Sequence, residues 1–313
     1  MRIETLTAEN KISQGKKQRE WLKQYSPQHL AKIEKLLKDC AGYAKNHGAP
    51  DMLIFGAGAC TEIPLSKIAQ FCRKIVLVDL DADGMKAAIA EVAGPLRKRI
   101  QFVQADITGG VSQKLDDILN TIDWRALYDA KDNEVAHITA EVLDRAPVPE
   151  SPRIPGIAPA AIVVSSLILT QLFSLPLQDV LQKVALVRAG MQMTIGDNTE
   201  YIRAANLFRR KITLAHLRLL QTSLAPDGAA ALISDFAGHI ARADYTPDTT
   251  LPELRILPSS VLSIPSELEK EFYAPEPIRH WQWVNKLPDT AKYPGRIYTV
   301  IGAILQHKSE SLA

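Results

Sequence analysis

Apolar positions along the chain fall into two rhythms. After Ser26-Pro27, a capping hydroxyl followed by the residue best tolerated at the first helical position, Leu30, Ile33, Leu36, Leu37 and Cys40 recur at helical spacing, and Gly48 offers a stop. This predicts that residues 1–48 are helical and precede the main fold. From there short apolar runs alternate with helical stretches: strand 52–55, helix 61–72, strand 75–79, helix 83–93 and strand 100–104. Such alternation means βαβ units and a parallel sheet with helices on both faces.

The regular pattern then breaks. Residues 112–145 read as helical, with Leu115, Ile118, Leu119 and Ile122 on one face, and Pro147, Pro149, Pro152, Pro155 and Pro159 make a stiff connector. Residues 161–164 form the fourth strand, 177–224 are mostly helical, and a turn at Pro226-Asp227-Gly228 leads to a fifth strand at 229–234. The proline-rich segment 240–278 leaves room for one short helix, opened by the capping box Ser266-Glu267-Leu268-Glu269. Residues 280–284 and 297–305 are two further strands, the second expected at the edge of the sheet. The fold class is therefore α/β: a helical cap over 1–48, then a Rossmann-like, doubly wound, mostly parallel seven-stranded sheet over 49–313, with insertions at about 112–160 and 238–278.

Composition narrows the partners. With 46% hydrophobic and 23% charged residues in 313, this is an ordinary globular chain with material for a substantial core. A net charge of +2 does not call for a polyanion, and the runs Lys16-Lys17-Gln18-Arg19, Arg97-Lys98-Arg99 and Arg209-Arg210-Lys211 read as solvated helix faces. Nucleic acid is not the expected partner. The three cysteines, Cys40, Cys60 and Cys72, lack the spacing of a disulfide framework or a zinc site, so no metal is expected and a reducing, cytoplasmic compartment is. The uncharged stretch 156–178 is long enough for a bilayer, but Pro159, Ser165, Ser166, Gln171 and Pro176 interrupt it, and a buried strand followed by a helix accounts for it.

The candidate chemistry starts at residues 52–64, MLIFGAGACTEIP. A strand runs into a glycine turn and then, at Thr61, into an expected helix start, which together make a nucleotide pocket. A dinucleotide fold would place a third glycine at Thr61, and the next residue is Glu62. A carboxylate there competes with a bound phosphate for the same amides. The arrangement suits a ligand without phosphate that carries positive charge.

These residues resemble class I S-adenosylmethionine-dependent methyltransferases over roughly 50–110 and 160–305. MLIFGAGAC resembles the family's first motif, which implies that Gly56, Ala57 and Gly58 lie beside the methionine part of S-adenosyl-L-methionine. IVLVDLD resembles the second, which implies that Asp79 accepts from both ribose hydroxyls with Leu80 beside it, and QFVQADI the third, which implies that Asp106 meets the adenine amino group and Ile107 packs on the ring. VVSSLILTQL resembles the strand and helix of the fourth motif, bringing in Ser165, and SLAPDGAAALISDF the turn before strand five. The family's acid two residues before the first glycine is Ile54 here, and its third glycine is Cys60, so Glu62 is the candidate to meet the ammonium group.

The implied reaction is methyl transfer. The nucleophile must be held in line with the sulfonium carbon in a dry pocket, with a base in reach if it is a hydroxyl or protonated amine. Ser165-Ser166 and Asp235 follow strands four and five, where such groups belong, and His216 and His239 are further base candidates. Ser165-Ser166-Leu167-Ile168 differs from the Asp/Asn-Pro-Pro-aromatic of nucleobase amine methyltransferases and lacks the acid that holds magnesium in catechol enzymes. Trp281 and Trp283, two apart on a strand, share a face as core packing or as an aromatic wall. The expected substrate is a small molecule methylated on oxygen or nitrogen. An RNA or protein methyltransferase, a nonenzymatic S-adenosylmethionine-binding protein and an NAD-dependent oxidoreductase are the alternatives.

Overall fold

The structure is a computed structural model describing residues 8–44, 48–241, 264–287 and 295–308. The chain divides into two compact units: Met1–Ala105, Pro155–Ile168 and Leu220–Ala313 form one, Asp106–Ile154 and Leu169–Leu219 the other.

The first unit holds the entire sheet. Its strands are β1 (Asp51–Phe55), β2 (Lys74–Asp79), β3 (Ile100–Gln104), β4 (Ala160–Ser166), β5 (Leu224–Ala241), β6 (Arg279–Lys286) and β7 (Gly295–Leu305), in spatial order β3-β2-β1-β4-β5-β7-β6. β1 to β5 run parallel, while β7 is antiparallel to both β5 and β6. The fold is thus a Rossmann-like, doubly wound, mostly parallel seven-stranded sheet. The expected edge is corrected: β7 lies between β5 and β6, and β6 is the edge. The apolar run 297–305 is consistent with an inner strand, since Val300, Ile301 and Ile304 are fully buried, whereas Gln282 and Lys286 of β6 are exposed.

Five helices of this unit precede β3: α1 (Ala8–Tyr25), α2 (Pro27–Tyr43), α3 (Leu65–Phe71), α4 (Ala82–Ala90) and α5 (Gly94–Arg97). They cover one sheet face, where Ile33, Leu36, Met52, Ile54, Ile75, Leu77, Ile162, Val164, Ala231, Ile233 and Ile304 share one core. Residues of the opposite parity, Leu53, Phe55, Val78, Val163, Ala230 and Leu232, are also buried, as central parallel strands require.

Three helix boundaries differ from the sequence pattern. α3 begins at Leu65 rather than Thr61, with Pro64 at its cap, because the chain first folds back through a bond from Leu65 N–H to Ile63 C=O. The helix expected over 83–93 ends at Ala90 as α4 and a separate short helix, α5, follows at Gly94–Arg97, and a helix (Ile264–Glu271) starts two residues before the expected capping box, with Pro265 in its first turn. Residues 242–263 of the expected insertion lie outside the described residues.

The second unit is helical. It contains α6 (Val111–Asn120), a 3-10 turn (Trp124–Leu127), α7 (Asp132–Arg145), α8 (Leu169–Val184), α9 (Met191–Gly196) and most of α10 (Thr199–Ser223). The uncharged stretch 156–178 is β4 followed by α8, and no helix of the described residues is long and apolar enough to cross a membrane. Leu115, Leu119, Val135, Leu143, Phe173, Val180, Ile195, Phe208 and Ile212 are buried.

Ser26 does precede α2, but its hydroxyl does not cap the helix: Oγ donates to Val284 C=O of β6 at 2.7 Å. This bond pins the start of α2 to the sheet edge. Ser26→Ala should lower unfolding stability by about 0.5–1.5 kcal/mol, the net worth of one partly buried hydrogen bond, measured by denaturant titration at unchanged slope.

Candidate functional site

The strands β1 and β4 are neighbours whose onward chains part, because β1 leads towards β2 on one side while β4 leads to β5 on the other. This is the topological switch point, and the crevice at its carboxyl end is where open α/β sheets bind ligands. The backbone is unusual on both sides of it. Gly56, Gly58 and Cys60 after β1 have φ of +67°, +45° and +50°, and Leu167 after β4 has +54°. Cys60 and Leu167 are the positive-φ residues other than glycine among the described residues, and such conformations persist where surroundings enforce them. The enforcing bonds are Cys60 N–H to Ala57 C=O at 2.8 Å and Leu167 N–H to Ile233 C=O at 2.8 Å.

Two glycines serve different ends. A Cβ on Gly56 would stand 2.5 Å from Cβ of Ile168, so Gly56 is glycine because Ile168 packs on its backbone. A Cβ on Gly58 would meet only Asp79 Oδ2, at 3.9 Å, which leaves open space beside this residue. Its N–H donates to the same Oδ2 at 3.0 Å, and Asp79 Oδ1 accepts from Asp81 N–H at 2.8 Å. The carboxylate is therefore fixed at the end of β2, half-exposed, with one lone pair of each oxygen still to use. Leu80 follows it with its side chain exposed, while Ala57 is buried in the turn.

The N-terminal helix lies on this turn. A Cβ on Gly15 would touch that of Ala59 at 3.0 Å, and Arg19 Nη1 donates to Ala59 C=O at 2.6 Å while its guanidinium also pairs with Glu91. Arg97 and Arg99 likewise donate to backbone carbonyls while remaining exposed. Glu62 sits in the bend before α3, not in its first helical turn. It is half-buried and accepts from Thr61 Oγ1 at 2.5 Å. Burial raises its carboxyl above the ordinary 4.5, while the Thr61 hydroxyl, its own N–H and Arg19 pull it down. Thr61 and Glu62, with Arg19, Leu30, Glu34 and Lys67, line a cavity of about 330 Å³.

The acceptor-side candidates are dispersed. Ser165 is buried within β4, paired with Phe55, rather than beyond the strand, and Ser166 Oγ is buried without a partner among the described residues. Asp235 and His239 both lie on β5, four residues apart, yet a bulge between Asp235 and Ala237 shifts the register. Asp235 pairs with Val300 and His239 with Ile297, three apart on β7, so the two side chains leave opposite faces. His239 Nε2 stands 3.4 Å from Thr299 Oγ1. His216 belongs to the second unit, where burial lowers its pKa to about 4 and keeps it neutral. Asp106 and Ile107 open that same unit. The Asp106 carboxylate accepts from Thr108 N–H, Thr108 Oγ1 and Gly110 N–H at 2.8, 2.6 and 3.1 Å, shaping the turn into α6, and Ile107 is buried.

The pattern pointed to Trp281 and Trp283 but not to their partner. His29 of α2 accepts at Nδ1 from Trp281 Nε1 at 2.8 Å and stacks on Trp283, with ring centroids 5.0 Å apart. Its position in the first turn of an amphipathic helix gave no hint of this.

No family model and no curated protein sequence matches the chain. Among solved structures it is similar to the N-methyltransferase NodS from Bradyrhizobium japonicum WM9 (12% identity, 91% of this chain and 99% of that one, TM-score 0.39). It is also similar to ribosomal protein L11 methylase from Lactobacillus delbrueckii subsp. bulgaricus (10%, 89% and 79%, 0.34) and to the glycopeptide N-methyltransferase MtfA (12%, 85% and 88%, 0.35).

Gly56→Ala should destabilise the protein by about 2–5 kcal/mol, adding a left-handed alanine to an overpacked contact. In a double-mutant cycle with Ile168→Gly the combined loss should fall short of the sum, since losing the Ile168 Cβ and its branches removes the clash. Strict additivity would show that Ile168 is not what excludes a side chain at Gly56.

Proposed function

We propose that the chain is an S-adenosylmethionine-dependent methyltransferase that acts on an oxygen or nitrogen of a small molecule by in-line displacement. The observation that carries this reading is the Asp79 carboxylate, held by two backbone N–H groups at the end of β2 with open space beside Gly58. A fixed carboxylate with one free lone pair per oxygen suits a vicinal diol, and a glycine without a neighbour at its Cβ position suits close approach by a ligand. When bound, S-adenosylmethionine supplies an electrophilic methyl group on a sulfonium.

The chain's residues hold and shield. Asp79 would orient the ribose, the turn at Gly58 would carry the methionine part, and Glu62 would oppose the ammonium charge that Ile54 cannot. Helices α1 and α2 would form the cap over the glycine turn, α1 fastened by Arg19 to Ala59 C=O, which favours exclusion of water from the site. Ser166 at the carboxyl end of β4 and Asp235, two residues past the last β4–β5 pair, supply polar groups. The three described cysteines are free and buried, which suits a reducing, cytoplasmic setting. An RNA or protein acceptor, and a nonenzymatic S-adenosylmethionine-binding role, are the alternatives. Calorimetric titration with S-adenosylmethionine, S-adenosylhomocysteine and NAD decides among them: tight binding of NAD alone would end the methyltransferase reading, and binding without turnover on a metabolite extract would favour the nonenzymatic one.

Asp79→Ala should weaken S-adenosylmethionine binding by about 2–4 kcal/mol, two charge-assisted hydrogen bonds allowing for nonadditivity, in a protein whose melting temperature shows it folded. Unchanged affinity would remove Asp79 from the site.

Glu62→Gln should weaken S-adenosylmethionine by about 1–3 kcal/mol and leave methylthioadenosine, which lacks the ammonium group, nearly unaffected. Equal losses for both ligands would assign Glu62 to the fold alone.

A further inference from the structure

Two buried N–H donors in the first unit have no partner among the described residues, and they sit on stacked rings. Trp281 Nε1 can only donate, so His29 Nδ1 must be the acceptor of their 2.8 Å bond, and the proton of the neutral imidazole is on Nε2. Nε2 has no partner, and neither does Trp283 Nε1. His29 is 1% exposed and Trp283 8%. Burial lowers the His29 pKa to about 3, so the ring is a neutral donor at physiological pH. Turning the ring over would only exchange which of its nitrogens is left over, and Ser26 Oγ to Val284 C=O holds this end of α2 in place.

Two other indoles are satisfied. Trp281 donates to His29 and its ring covers Gly302, where a Cβ would stand 2.6 Å from it, and Trp124 donates to Leu119 C=O at 2.9 Å. Buried polar groups left open by the protein in this way call for an external acceptor. The position is apt. Trp283 pairs with Tyr298 and Tyr298 with Gly238, whereas β4 reaches only as far as Ile233 of β5, so the stacked rings stand beyond the carboxyl level of the parallel strands. Tyr298 extends the row, its ring 5.4 Å from that of Trp283, and it interacts with the Asp235 carboxylate.

We propose that His29 Nε2–H and Trp283 Nε1–H bind the carbonyl oxygen of a flat, neutral, unsaturated acceptor, with Trp283 as a wall of its pocket and Trp281 as core. This rests on the methyltransferase reading for the word acceptor. The aromatic row supplies a surface for a planar body, two N–H donors recognise an oxygen, and Asp235 nearby disfavours an anion.

The test is nuclear magnetic resonance of the full 15N-labelled chain, following the indole N–H signals with Trp283 assigned by Trp283→Phe. Benzamide, a flat ring bearing a neutral carbonyl, should shift the Trp283 signal saturably while Trp124 stays still. Benzoate should bind more weakly. His29→Phe, which keeps a stacking ring and removes the donor, should raise the benzamide dissociation constant about tenfold. A Trp283 signal that benzamide leaves unmoved, a preference for benzoate, or equal affinity in folded His29→Phe would each overturn the proposal. In the same samples S-adenosylmethionine should shift the Gly58 amide. If Gly58 fails to respond while Trp283 does, the pocket stands and the methyl-transfer reading falls.

Discussion

The constraint on which the site depends is that β1 and β4, hydrogen-bonded neighbours, both leave the sheet through left-handed backbone. Gly56 can do this freely, but Leu167 bears a cost of about 1–3 kcal/mol, borne because its N–H is captured by Ile233 and its successor Ile168 is packed against Gly56. The two turns are thus locked to each other. Had either strand continued in extended conformation, the crevice would be closed by a further rung of the ladder. With both turned aside, Gly56 and Ala57 N–H converge on Val78 C=O of β2, and Gly58 N–H turns to the Asp79 side chain.

This lock yields a rigid turn braced from three directions. The side chain of Asp79 holds it from β2, Gly84 of α4 lies so near that a Cβ would come within 3.1 Å of Ala59 N, and Arg19 of α1 binds Ala59 C=O. Arg19 is the least obvious of these. In the sequence it is the end of a basic run, and its guanidinium could equally have faced water. Instead it joins the N-terminal helix to the turn and, through Glu91, to the end of α4.

Legibility followed locality. The strands 52–55, 75–79 and 100–104 were readable because buried parallel strands are unbroken apolar runs, and the structure moves their ends by no more than one residue. The start of α3 was not, since Thr61 and Pro64 mark a helix in isolation, whereas the fold uses residues 61–64 for a bend. Edge order was legible but masked by chain position: β7, the last strand, is the near-continuous apolar run of an inner strand, whereas β6 alternates with polar residues as an edge does. The dispersal of Asp235 and His239 has the sharpest cause. Residues four apart on a strand share a face, and one inserted residue at the bulge reverses that for everything after it. Nor could spacing announce that the paired rings of Trp281 and Trp283 divide their hydrogen bonds unequally, because the deciding residue, His29, is 252 positions away.

A single face of the sheet shows where core ends and site begins. On β1 its residues run Met52, Ile54, Gly56; on β4, Ile162, Val164, Ser166; on β5, Ala229, Ala231, Ile233, Asp235. Register places Ile54 beside Val164 and Ser166 beside Ile233, so the change from apolar to glycine or polar occurs on adjacent strands within one or two rungs. Packing alone would favour another layer of valine or leucine at Ser166 and Asp235, both of which are buried and would gain from it. Substituting polar groups there sacrifices hydrophobic stabilisation along a line, and that line coincides with the strained turns at Leu167 and Cys60. Strain and buried polarity are each tolerable singly in a core of this size. Buried polar groups also stand at Ser165 and Ser234 on the opposite face, and it is at the rungs of Ser166 and Asp235 that buried polarity and left-handed backbone meet.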